Sequence, residues 1–200
     1  MKKPRLLLFD LGNVLVRFVP EQFSKSLGLD DQESRNRYGE GVRDLTNQYE
    51  SGKFSTKEYF SLLRSYFANR FDVEELEQAF RSVLTDPVPG MEELVRRATA
   101  QLPSALVSNT NEYHFSSVLP RIPALKFLPK RYLSYQLGII KPRSEFYQYI
   151  VRNEKVQPNE MLFIDDVEEN LRSAEQAGMV GFQFRDAEGL EKELVDLSVL

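Results

Sequence analysis

Two regions of the chain differ in the period of their apolar positions. At the start and over the second half, short apolar runs alternate with helical patterns. Leu6-Leu7-Leu8-Phe9 follows a basic lead-in, and residues 104–107 and 161–164 repeat its character as Ser-Ala-Leu-Val and Met-Leu-Phe-Ile. Runs this short and this continuously apolar predict strands buried on both faces, as inside a parallel sheet. Residues 181–184 predict a fourth strand and residues 132–135 a fifth. Helical patterns fall between them over residues 93–100, after Pro89-Gly90, over 144–153, after Lys141-Pro142, and over 168–177, closed by Gly178. A glycine just past the last periodic residue is a helix stop. Strands alternating with helices predict an α/β fold with a doubly wound parallel sheet.

Residues 18–86 abandon that rhythm. No strand pattern stands out there, but three apolar stripes recur at helical spacing. Tyr38, Val42, Leu45 and Tyr49 form one; Tyr59, Leu62, Leu63, Tyr66 and Phe67 a second; Leu76, Phe80, Val83 and Leu84 a third. Such stripes are read as core. Ser55 with Glu58 makes a capping box, and Asp72 can cap the helix after it. The pattern predicts a small helical bundle inserted after the first strand, with Pro87 and Pro89 marking the return. The core domain would then be residues 1–17 and 87–200, and the helical insertion 18–86.

Composition narrows the chemistry. At 200 residues, 42% hydrophobic and 28% charged, the chain can bury a full core and is not a disordered segment. It has no cysteine and one histidine, His114, which removes disulfides, thiolate sites and histidine-rich metal sites. A net charge of −4 gives no basic face for nucleic acid. The apolar run near the N-terminus is too short for a signal peptide or a membrane span. The expectation is a cytoplasmic protein with a small-molecule partner, no nucleic-acid or membrane partner, and an oligomeric state left open.

Four polar features are placed at the ends of expected strands, where open α/β sheets bind ligands. They are Asp10 in Phe9-Asp10-Leu11-Gly12-Asn13, Ser108-Asn109 after Val107, Lys141 before Pro142, and Asp165-Asp166 with Asn170 following. Each alone is as ordinary as a turn residue, a helix cap or a solvated lysine. Together they converge on one cleft if the sheet is parallel. Three mutually repelling carboxylates need a divalent cation, and oxygen ligands without His or Cys favour magnesium. Ser108, Asn109 and Lys141 supply the donors and the counter-charge that a phosphate requires.

The segments FDLGNVLV, VSNTN, LGIIKP and FIDDVEEN resemble, in order and over essentially the whole chain, the four motifs of the haloacid dehalogenase superfamily. They are most similar to its α-D-glucose-1-phosphate phosphatase-like branch, with the N-terminal phosphatase domain of soluble epoxide hydrolase as a more distant relative. The resemblance implies a Rossmann-like core with a helical cap and a magnesium-dependent phosphatase acting on a small phosphate ester, with sugar phosphates favoured by the branch. It makes Asp10 the nucleophile, transiently phosphorylated, and a magnesium ligand beside the Gly12 carbonyl and Asp166. Asp165 would bind the metal directly or assist from outside its ligands. Ser108 and Asn109 would grip the phosphate, Lys141 would neutralise charge, and Asn170 would orient the acidic pair.

Position 12 departs from the wider superfamily, where a second Asp protonates the leaving group and activates water. General acid–base catalysis of this kind contributes roughly 100- to 10,000-fold. Gly12 keeps a carbonyl but has no acid. Either the substrate carries a good leaving group or another residue supplies the proton, and His114 has a suitable pKa class. Two other readings compete: a dehalogenase-type hydrolase, which the acidic pair opposes because that chemistry needs no metal, and a phospho-ligand-binding protein without turnover.

Overall fold

The computed structural model describes residues 3–117 and 119–200. Its main sheet has five parallel strands in the order β5-β4-β1-β6-β7. They are β1 (Leu6–Phe9), β4 (Ser104–Ser108), β5 (Lys130–Leu133), β6 (Met161–Asp165) and β7 (Val180–Gln183). Strand β1 is central and entirely buried, which is why it carries no polar residue. Its side chains alternate between two cores. Leu7 and Phe9 pack with Leu106, Leu162 and Ile164 under α5 (Met91–Thr99) and α10 (Ala187–Asp196). Leu6 and Leu8 pack with Val107 and Phe163 under α8 (Ser144–Asn153) and α9 (Glu168–Gln176). Helices therefore cover both faces, the doubly wound arrangement that the alternating pattern predicts. The chain first builds β4 and β5 on one side of β1 and then β6 and β7 on the other. This leaves a crevice at the C-terminal end of β1.

Residues 18–86 contain four helices: α1 (Glu21–Ser26), α2 (Gln32–Glu50), α3 (Thr56–Tyr66) and α4 (Val73–Arg81). Ser55 and Glu58 form the expected capping box, and Asp72 forms another with Glu75. Tyr49 stacks on Tyr59 at 4.3 Å, with Phe60 and Phe80 packed around Tyr59. Two features differ from expectation. A two-stranded antiparallel ribbon, β2 (Val16–Phe18) with β3 (Leu84–Pro87), joins the helices to the sheet. Of the expected stripes, Tyr49 is buried, whereas Tyr38, Val42 and Leu45 are only half-buried; Leu62 and Tyr66 are exposed while Phe60 turns inward. Helix α2 packs on α3 along one side, with Tyr38 against Tyr66 and Phe67 and the Thr46 hydroxyl bonded to that of Tyr59. Tyr38 and Val42, packed only in part against the helical core, also line a cavity of about 650 Å3 with Phe18, Phe23, Phe67 and Phe80.

The turn after α2 meets the sheet domain at Gly52. Gly52, with φ +72°, lies so close to α7 (Ser134–Leu137) that a Cβ there would stand 2.3 Å from the Tyr135 carbonyl oxygen. Among the described residues, no helix is long and apolar enough to cross a membrane.

Candidate active site

The crevice at the end of β1 is a cleft of about 250 Å3. Asp10 follows β1 directly, Ser108 ends β4 and Asp165 ends β6. Lys141 differs from expectation: it is delivered by the loop beyond α7, not by the end of β5 itself. That loop is held by Asn109, whose side chain forms a pair of hydrogen bonds with the backbone of Lys141. Lys141 N–H donates to Asn109 Oδ1 at 2.8 Å, and Asn109 Nδ2 donates to the Lys141 carbonyl at 3.0 Å.

Lys141 is 4% exposed, and its ammonium donates to Asp10 Oδ1 and Asp165 Oδ2, each at 2.7 Å. Burial alone would push its pKa down, yet the two carboxylates override burial and hold it above the ordinary lysine value. Burial pushes Asp10 up to about 7, against the pull of Lys141 and with the added repulsion of Asp165. Asp165 is fully buried, and its oxygens accept from Lys141, from the Val167 N–H at 2.8 Å and from Asn170 Nδ2 at 3.1 Å. Asp166 faces the cleft half-buried, and burial raises its pKa as well. One oxygen from each of Asp10, Asp165 and Asp166 lies within 4.8 Å of the others. Three carboxylates against one ammonium, with no nitrogen or sulfur donor, form a set that fits a hard divalent cation.

Asp10, Gly12, Asn109, Lys141, Asp166 and Asn170 all line the cleft, whereas Ser108 and Asp165 lie beneath its floor. Ser108 is 1% exposed and donates to the Asn109 carbonyl at 3.1 Å. His114 reaches the cleft wall with both ring nitrogens engaged. Nε2–H donates to the Phe80 carbonyl at 2.9 Å, Nδ1 accepts from Asn111 at 3.2 Å, and the ring stacks on Phe80 at 4.3 Å. Burial pushes its pKa down to about 4. This ring is neutral, fixed in one tautomer and has no nitrogen left for a leaving group.

Asn13 and Glu50 line the cleft without having been given a role from the sequence. Asn13, in the left-handed region at φ 54°, donates from Nδ2 to Asp166 Oδ2 at 3.0 Å and accepts from the Phe18 N–H at 3.0 Å. It ties the first loop to the acidic pair, and its position inside the first motif was the available signal. Glu50, the last residue of α2, enters from the helical side. Its signal was electrostatic: an acid at a helix C-terminus, with no base in that turn, opposes the macrodipole.

The family model described as haloacid dehalogenase-like hydrolase matches residues 4–178. D-ribitol-5-phosphate phosphatase of Bacteroides thetaiotaomicron is 28% identical over 94% of this chain and 95% of its own. Flavin mononucleotide hydrolase 1 of Arabidopsis thaliana is 29% identical over 76% of this chain and 61% of its own. The fold is shared with a HAD family enzyme from Bacteroides thetaiotaomicron, at a TM-score of 0.83 and 24% identity, covering 93% of this chain and 96% of that one. That enzyme has also been crystallised with magnesium and inorganic phosphate. The match spans every element that carries a cleft residue, and the chain belongs to the haloacid dehalogenase-like hydrolases.

Proposed function

We propose that this hydrolase is a magnesium-dependent phosphomonoesterase that works through a phosphorylated Asp10. The observation that carries this reading is the buried Lys141 ammonium bridging Asp10 and Asp165, with Asp166 alongside. Asp10 is the nucleophile because it opens into the cleft, whereas Asp165 has its oxygens taken up by donors beneath the floor.

Asp10 attacks phosphorus, forming an acyl phosphate as the bond to the leaving oxygen breaks. Water then attacks phosphorus, releasing inorganic phosphate and restoring the carboxylate. Lys141 balances charge on Asp10 and on the phosphoryl oxygens in flight. Asn109 positions Lys141 through its backbone, and Asn170 and Lys141 fix the orientation of Asp165. Asp10, Asp166 and the Gly12 carbonyl would hold magnesium. When bound there, the ion would neutralise phosphoryl oxygens and favour ionised Asp10. The helical unit of residues 18–86 acts as a cap that closes the cleft and selects the alcohol.

The finer substrate reading is a sugar or sugar-alcohol phosphate, supported by the ribitol-phosphate phosphatase relative. The aromatic cavity beside the cleft favours including larger esters in the same screen, since it shares Phe18, Glu50 and His114 with the cleft wall. The test is phosphate release from p-nitrophenyl phosphate, with magnesium or EDTA, by wild type and Asp10→Asn. Magnesium-dependent release that Asp10→Asn abolishes is expected. Release that survives Asp10→Asn would defeat the reading, as would binding of phosphate esters without turnover of any ester in the screen.

A further inference from the structure

Position 12 has space but no acid. A Cβ built on Gly12 would meet Phe18 Cβ at 3.5 Å, an ordinary contact, so the cleft would admit a side chain that the sequence does not provide. The remaining titratable groups on the cleft wall are Asp10, Glu50, His114, Lys141 and Asp166. Asp10 is the nucleophile, and Lys141 is bound to two carboxylates. Asp166 is tied to Asn13, and His114 has both nitrogens occupied. Only Glu50 has no assignment.

Its placement is informative. In phosphoryl transfer the attacking and leaving oxygens lie roughly in line, so the alcohol departs on the side away from Asp10. Glu50 sits on the helical wall and borders both the cleft and the aromatic cavity, where an alcohol moiety would be held. Asn111, whose side chain bonds His114 through both its nitrogen and its oxygen, favours the ionised form of the Glu50 carboxyl. The neutral, immobile His114 thus holds Asn111 on the wall that carries Glu50.

Resting on the phosphatase reading, we propose that Glu50 is the general acid and base that position 12 lacks. Its carboxyl proton passes to the leaving oxygen as the P–O bond breaks, releasing the neutral alcohol. The resulting carboxylate then takes a proton from the water that attacks the Asp10 phosphoryl group, which returns Glu50 to its starting form. Burial, opposed by Asn111 and Lys141 and reinforced by Asp10, pushes the Glu50 carboxyl up to about 7, so a proton is held there near neutral pH.

The test is a series of phosphate monoesters from aryl to alkyl, read as kcat/KM, which covers only the steps up to departure of the alcohol. Wild type, Glu50→Gln and the double variant Glu50→Gln/Gly12→Asp are compared. Glu50→Gln should lose about 100-fold or more on alkyl esters and only a few-fold on p-nitrophenyl phosphate, whose leaving group needs no proton. The added Asp at position 12 should restore at least tenfold on alkyl esters. Equal losses across the series, or no loss anywhere, would overturn the proposal. The alkyl-to-aryl ratio is taken within one variant, so a partly folded preparation does not alter it. Failure of the underlying phosphatase reading would show separately, as p-nitrophenyl phosphate turnover that survives Asp10→Asn.

Discussion

Replacing Lys141 with methionine should destabilise the metal-free protein strongly at pH 8 and less so at pH 5. Methionine fills nearly the same volume, so the change removes charge with little cavity. It leaves Asp10 and the fully buried Asp165 without the ammonium that lies 2.7 Å from each. Deleting one partner of a buried ion pair costs about 3–5 kcal/mol, because the other charge stays buried and unpaired. For a chain of this size that corresponds to a fall in Tm of roughly 6–20 °C. The sign of the pH effect follows from proton uptake. Without the pull of Lys141, burial and the repulsion of Asp165 hold the folded-state pKa of Asp10 still further above its unfolded value. The folded variant therefore takes up protons as pH falls, and its deficit against wild type shrinks. Thermal unfolding followed by circular dichroism in EDTA at both pH values measures this. A deficit under about 1 kcal/mol at pH 8, or one that grows toward pH 5, would refute the account of Lys141 as the charge that allows the acidic cluster to be buried.

His114 should make the fold acid-sensitive. Its pKa is depressed from 6.5 to about 4, so the neutral ring's contribution is complete above pH 6.5 and lost as pH falls toward 4, by up to about 3 kcal/mol. Urea unfolding at pH 7 and pH 4.5 should show that loss in wild type and not in His114→Gln; identical pH dependence in the two would disprove it. Magnesium should raise the Tm of wild type, by about 2.7 kcal/mol of added stability at a hundredfold excess over Kd. Thermal shift assays should find most of that gain missing in Asp166→Asn, and a full gain there would remove Asp166 from the metal site.

How much of this was legible in the sequence depended on whether a feature was encoded locally. Strands β1, β4 and β6 are continuous apolar runs because both faces of the sheet are covered, so they announce themselves. The β2–β3 ribbon does not: Leu84-Thr85-Asp86-Pro87 has neither alternation nor burial, and its pairing exists because the chain must leave and re-enter the sheet domain there. The stripe on α2 was legible as an apolar face, but periodicity cannot distinguish a face packed in a core from one that lines a cavity. Within the site, Asp10 and Asp165 were readable because each closes an apolar strand at the ligand-binding edge of the sheet, and Lys141 because a phosphate there needs a counter-charge. The Asn109 side chain was readable as a phosphate donor, but that it also holds the Lys141 loop depended on a backbone path that nothing near residue 109 records. Glu50 comes from a separate unit of the chain, and although its place at a helix C-terminus marks it as an unfavourable acid, nothing near it in sequence says which cleft it enters.

Gly52 gives the helical unit a consequence beyond shape. With no room for even a methyl group against the Tyr135 carbonyl, the turn that carries Glu50 is seated on the sheet domain through bare backbone. Lifting that turn to admit an ester or release an alcohol would withdraw the proposed proton donor in the same movement. Chemistry would then be confined to the shut form, with the open form serving only exchange. Gly52→Ala should accordingly reproduce the alkyl-ester defect of Glu50→Gln while Glu50 itself remains intact. Wild-type kcat/KM on those esters would show that the seat and the proton are independent.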